Sequence, residues 1–107
     1  MNTQETISWI FLATALASKS DSADFNSISA IADGINHAVP THKELQTSMT
    51  WLTHNRLVVK TGNKYKLTPK GESVYVEASH NTPILLKIIA NLSNVLKKYN
   101  ARDNEHF

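Results

Sequence analysis

Leu52-Thr-His-Asn-Arg-Leu-Val-Val-Lys-Thr-Gly-Asn-Lys-Tyr-Lys-Leu-Thr-Pro-Lys-Gly71 is the stretch whose reading decides the fold. It opens on the end of a helix. Asn55 is the expected stop, because asparagine tolerates positive φ better than most residues. Two strand-like runs follow, Leu57-Val-Val-Lys60 and Lys64-Tyr-Lys-Leu67, with Thr61-Gly62-Asn63 as the turn between them. Thr68-Pro69 restarts a helix, with threonine as cap and proline at the first helical position. That helix is expected to reach about Ser79.

Upstream, Thr41-His-Lys-Glu44 has the spacing of a capping box, with Pro40 and Leu45 at the staple positions. In the helix that follows, Leu45, Met49 and Leu52 share one stripe. Lys43, Thr47, Thr50 and His54 share the opposite stripe, with Gln46 at its margin. Trp51 falls between the two and reads as packed against the hairpin or the first helix rather than stacked on a ligand. Residues 27–37 form a second helix, where Ile28, Ile31, Ala32 and Ile35 repeat on one face. Lys19 to Asp24 reads as a polar loop. Asn2 with Glu5 caps a first helix running to about Ala17, with Ile7, Ile10, Phe11, Leu12 and Leu16 inward. Downstream, Thr82-Pro83 repeats the cap signature and opens a last helix to about Tyr99.

The chain has 107 residues and no cysteine, so it reads as one domain without disulfides, thiol catalysis or cysteine-bound metal. Its apolar run from Ile7 to Ala17 resembles the core of an export signal. The residues before it carry Glu5 and no Lys or Arg, and the run is too short to span a bilayer. It therefore reads as a buried helix, and the protein as cytoplasmic with no membrane partner. Catalytic motifs are missing: there is no phosphate loop, dinucleotide fingerprint or Gly-x-Ser-x-Gly. His42 and His54 lie three turns apart, and no histidine pair has the spacing of two ligands on one helix face. The expectation is no enzyme, no metal and no cofactor.

Charge is uneven along the chain. Residues 1–40 carry a net −3, from Lys19 against Glu5, Asp21, Asp24 and Asp33. Residues 56–70 carry +5, from Arg56, Lys60, Lys64, Lys66 and Lys70, with no acid. Such a stretch suits a polyanion. Lysines also protect the open edge of a hairpin, so the two readings stand side by side here.

The order helix, helix, helix, hairpin, helix over residues 6–79 resembles the winged helix-turn-helix superfamily. The tail Tyr65-Lys-Leu67-Thr68-Pro69-Lys-Gly71 looks like the "Y-x-L-T-x-x-G" end of the wing in bacterial regulators of the PadR and MarR type. Arg56 departs from the pattern, since such proteins usually carry glycine before the Leu-Val. The expected fold is thus mainly α with a small β-hairpin: a winged helix-turn-helix with an additional long C-terminal helix. The resemblance implies a small transcriptional regulator bound to double-stranded DNA. The third helix would enter the major groove and the hairpin would touch the backbone. The expected contacts are Thr41, His42, Lys43, Gln46, Thr47, Thr50 and His54 on the helix, with Lys60, Asn63, Lys64 and Lys66 on the hairpin. Gln46 suits an adenine edge, and threonine methyls suit thymine methyls.

In the last helix, Leu85, Ile89, Leu92, Leu96 and Tyr99 step by 4, 3, 4, 3, the period of a heptad seam. Ile84, Ile88 and Val95 widen the apolar surface, and Trp9 and Leu12 widen that of the first helix. The favoured reading is a homodimer through the first and last helices; the alternative is that these helices cover each other within one chain. The expected division is a winged-helix domain over 1–80, a dimerisation helix over 81–100 and a flexible tail over 101–107. The rival to DNA binding is a winged-helix module that binds protein through its apolar helices.

Overall fold

A computed structural model of the chain describes residues 1–105, with side chains through Tyr99. Five helices and a two-stranded antiparallel hairpin follow one another as α1 (Thr3–Ala17), α2 (Phe25–Asn36), α3 (His42–His54), β1 (Val58–Thr61), β2 (Lys64–Leu67), α4 (Pro69–Ser79) and α5 (Leu85–Glu105). The coarse class is therefore the expected one.

The helix starts are set by local chemistry. In α1 the Asn2 side chain accepts from the Glu5 amide at 2.8 Å, and Glu5 accepts from the Asn2 amide at 3.1 Å. In α3 Thr41 and Glu44 exchange the same pair of bonds at 3.0 and 2.9 Å. Both capping boxes satisfy amides that a helix start leaves without partners. The cap of α2 lies earlier than the expected residue 27: Asp24 accepts from the Ser27 amide at 2.9 Å, and Phe25 is already helical. The last helix starts later than Thr82-Pro83 implied. There the Thr82 hydroxyl accepts from the Ile84 amide at 3.1 Å, which closes a short turn instead of a cap. The helix begins at Leu85 and is continuous past Tyr99 to Glu105. Residues 106–107 and all side chains from residue 100 lie outside the described residues; the backbone of 101–105, expected as part of a flexible tail, continues the helix.

α1 sits at the centre of the molecule. Every residue from Ile7 to Ala15 is buried, so over this stretch the helix has no solvent face. The polar side chains of this stretch, Ser8, Trp9 and Thr14, are satisfied internally. The Ser8 and Thr14 hydroxyls donate to the Gln4 and Ile10 carbonyls one turn back at 2.9 and 2.8 Å, and the Trp9 indole N–H donates to the Ala32 carbonyl of α2 at 3.0 Å. α5 folds back along α1, and Ile88, Ile89, Leu92 and Leu96 join the same core cluster as Ile10, Phe11 and Leu12. This corrects the expected dimer contact. Ile89, Leu92 and Leu96 are spent inside the chain, as are Trp9 and Leu12. The broad apolar surface of the two terminal helices is explained by their covering each other. Of the expected seam, only Leu85 is exposed and Tyr99 half-buried.

The joint between α3, the hairpin and α4 is built from backbone. Asn55 does not take the left-handed conformation expected of it (φ −86°); Arg56 does, at φ 61°. The Thr68 hydroxyl donates to the Arg56 carbonyl at 2.6 Å and accepts from the Gly71 amide at 3.0 Å. The Thr68 amide donates to the Leu57 carbonyl at 3.1 Å. A Cβ on Gly71 would collide with that same Leu57 carbonyl oxygen, so only glycine lets the first turn of α4 come this close.

Candidate nucleic-acid interface

In the hairpin, Val58 pairs with Leu67, Val59 with Lys66, Lys60 with Tyr65 and Thr61 with Lys64. Gly62 at φ 64° opens the two-residue turn, the glycine position of a type II′ connection. Directly paired residues share a face of the ribbon, and alternate residues share it too. Lys60 is therefore on the side of buried Tyr65, Val58 and Leu67, while Lys64 and Lys66 are on the opposite side with Val59 and Thr61. All three lysines are exposed, but they do not form one patch. The acid-free run of the sequence is split by the two-residue period of the strands.

A third segment joins the ribbon. Ala23 and Tyr65 exchange two backbone hydrogen bonds of 2.8 Å, so the loop before α2 pairs with the free edge of β2. This brings the first turn of α2 beside the hairpin. Phe25 stacks on Tyr65 with centroids 5.2 Å apart, His42 meets Phe25 edge-on at 5.9 Å, and the Lys60 ammonium stands 5.8 Å from the Tyr65 centroid. The aromatic group ties the starts of α2 and α3 to the ribbon.

The expected helix residues Thr41, His42, Lys43, Gln46, Thr47, Thr50 and His54 are all exposed along α3. Thr41 is exposed, yet its hydroxyl is already occupied by the cap. Gln46 stands where three surface hollows meet. A cleft of about 360 Å³ runs between α3 and the hairpin, lined by Gln46, Met49, Thr50, Thr53, Lys60 and Tyr65 among others. A second of about 300 Å³ continues to Asp24, Phe25, Asn26 and Asn63. A third of about 450 Å³ lies along the other flank of α3, between Gln46, Thr47, Thr50, Trp51 and His54. Gln46, Lys60 and Asn63 thus come together, whereas Lys64 and Lys66 lie on the opposite side of the ribbon.

Asp24, Phe25 and Asn26 belong to this surface and were not among the expected contacts. The Asp24–Ser27 spacing is a visible cap signal. The Ala23–Tyr65 pairing that brings the segment here is long-range and leaves no local mark. The Ser27 backbone amide, helped by the Ser27 hydroxyl and by Lys64, holds the Asp24 carboxyl below the usual carboxylate range. One fixed negative charge therefore stands among the lysines.

Trp51 is half-buried and packs against the shared core. It meets Tyr99 of α5 edge-on, with centroids 6.3 Å apart. The Lys70 ammonium stands 4.9 Å from the same Tyr99 ring and reaches the Asn55 carbonyl at 3.5 Å. This group fixes the far end of α3 against α5. Among the described residues no three histidine, aspartate or glutamate side chains gather as a metal site, and no helix is long and apolar enough to cross a membrane.

Compared with known proteins, the chain matches no family model, no curated protein and no solved structure.

Proposed function

We propose that this protein is a small winged-helix DNA-binding protein that regulates transcription in the cytoplasm. In this reading α3 docks in the major groove and the hairpin lies on the flanking phosphate backbone. The observation that carries it is the convergence of Gln46 of α3 and Lys60 of the hairpin on two shared clefts. A duplex seated on α3 would meet polar side chains along the helix and ammonium groups at its side. The Ala23–Tyr65 bridge supports reading the hairpin as a wing, because it anchors the ribbon at a fixed angle to α2 and α3. Lys60, Lys64 and Lys66 would neutralise phosphates, and Gln46 with Thr47 and Thr50 would face base edges. Asp24 would keep phosphates away from the floor of the second cleft.

Pairing of two copies remains part of the proposal, with a changed contact. The exposed apolar residues Ile84, Leu85 and Leu86 at the start of α5 replace the buried seam. The same residues are the specific observation behind the rival reading, a module that binds another protein there.

Charge reversal separates the readings. The variant Lys60→Glu/Lys64→Glu/Lys66→Glu is compared with the wild type by fluorescence anisotropy on a mixed-sequence duplex. The DNA reading expects weaker binding to every duplex and a flatter salt dependence. Wild-type binding that survives the triple reversal unchanged would contradict it.

A further inference from the structure

The exposed face of α3 is less polar than its residue types suggest. Thr50 donates its hydroxyl to the Gln46 carbonyl, one turn back, at 2.8 Å. That bond turns the hydroxyl into the helix and leaves the γ-methyl as the outward part of an exposed residue. Thr53 is held the same way by the Met49 carbonyl at 2.7 Å. Thr50, Thr47, Trp51 and His54 then line a largely apolar trough beside Gln46.

The charged inventory of this face is equally selective. Neither arginine lies on α3: Arg56 follows its end and Arg102 belongs to α5. A bidentate arginine to guanine is therefore not provided, and Lys43, in the first turn of α3, is the one lysine of this helix that could reach a guanine edge. Gln46 carries the amide that matches the donor–acceptor pair of an adenine edge. Gln46 and Thr50 are four residues apart on one face, about 6 Å between their Cβ atoms, so they reach the same or neighbouring base pairs.

Resting on the reading of α3 as the helix in the major groove, we infer that this face selects A·T pairs by thymine-methyl contact. Gln46 takes the adenine edge. Thr50, flanked by Thr47 and Trp51, takes the C5-methyl. Specificity then depends on an apolar patch that threonine makes by bonding its hydroxyl to its own helix.

The test uses the full chain and four duplexes of equal length: A·T-rich, G·C-rich, A·T-rich with deoxyuridine in place of thymidine, and G·C-rich with 5-methylcytosine. Deoxyuridine keeps the base pair and removes only the methyl. Affinities are read by fluorescence anisotropy at fixed salt. The expected order places the A·T-rich duplex tightest, with a loss of about fourfold for each contacted methyl removed. The 5-methylcytosine duplex is expected to bind better than its unmethylated parent. Thr50→Val, which keeps the γ-methyl and replaces the hydroxyl with a second, is expected to retain the thymidine–deoxyuridine difference, and Thr50→Ser to lose most of it. Equal binding of the thymidine and deoxyuridine duplexes by the wild type would overturn methyl reading while leaving DNA contact standing. Failure to bind any duplex would overturn both.

Discussion

Gly71 has the strongest steric requirement in the chain. Its Cα lies against the Leu57 carbonyl, and the atom an added Cβ would strike is backbone, which cannot swing aside. Gly71→Ala is expected to destabilise the fold by about 2–4 kcal/mol, read from the urea midpoint. Arg56 presents the opposite case. It holds φ 61° with a side chain that disfavours that region. Arg56→Gly is expected to raise stability by a few tenths to about 1 kcal/mol, because relief of the left-handed strain exceeds glycine's entropy cost. Both residues were legible in the sequence as parts of one motif, the glycine by its presence and the arginine as a departure. The reason for either was not, since it lies in a contact between residues on opposite sides of the hairpin. Asp24 adds a pH dependence at this scale. Its carboxyl is held low by the Ser27 amide, so its contribution to stability is present above the ordinary aspartate range and fades as pH falls through the lowered value. Asp24→Asn keeps a capping oxygen but does not titrate. The variant is therefore expected to show a shallower loss of stability on acidification, followed by thermal melts between neutral and acid pH.

At the scale of elements, the hairpin divides its lysines by strand register. Lys60 is on the side of Tyr65 and lines both clefts beside α3, whereas Lys66 pairs with Val59 on the other side. Lys60→Ala is expected to weaken duplex binding more than Lys66→Ala and to lower the log–log salt slope by about one unit. Equal effects would mean that the two sides of the ribbon face phosphate alike. The element boundaries read well from caps wherever a side chain answers an amide three residues away, as at Asn2, Thr41 and Thr68. They read less well at Thr82, whose hydroxyl serves the amide two residues on and so closes a turn instead. The exposed residues of the candidate interface were mostly legible, because α3 alternates buried and exposed positions with helical period. The contribution of the α2 start was not, because it depends on the loop at Ala23 pairing with Tyr65.

At the scale of the whole molecule, the arrangement follows from a central helix that needs covering on all sides. α2, α3 and α5 surround α1, and α5 supplies Ile88, Ile89, Leu92 and Leu96 to one shared core. The heptad-like spacing of α5 was legible, but its partner was not. A seam that faces another copy and a seam that faces the chain's own first helix have the same period. Leu92→Ala is expected to cost about 2–5 kcal/mol of stability, as for any fully buried leucine. Its sedimentation behaviour, measured where it remains folded, is expected to match the wild type. A change of oligomeric state without loss of stability would return Leu92 to an interface between chains. DNA contact by the surface that this core holds in place is tested most directly by titrating a fluorescent duplex of mixed sequence with the wild-type chain across a salt series. Affinity is expected to fall steadily with salt, with a log–log slope of about −2 to −4 for a few neutralised phosphates. No binding even at low salt would contradict DNA contact.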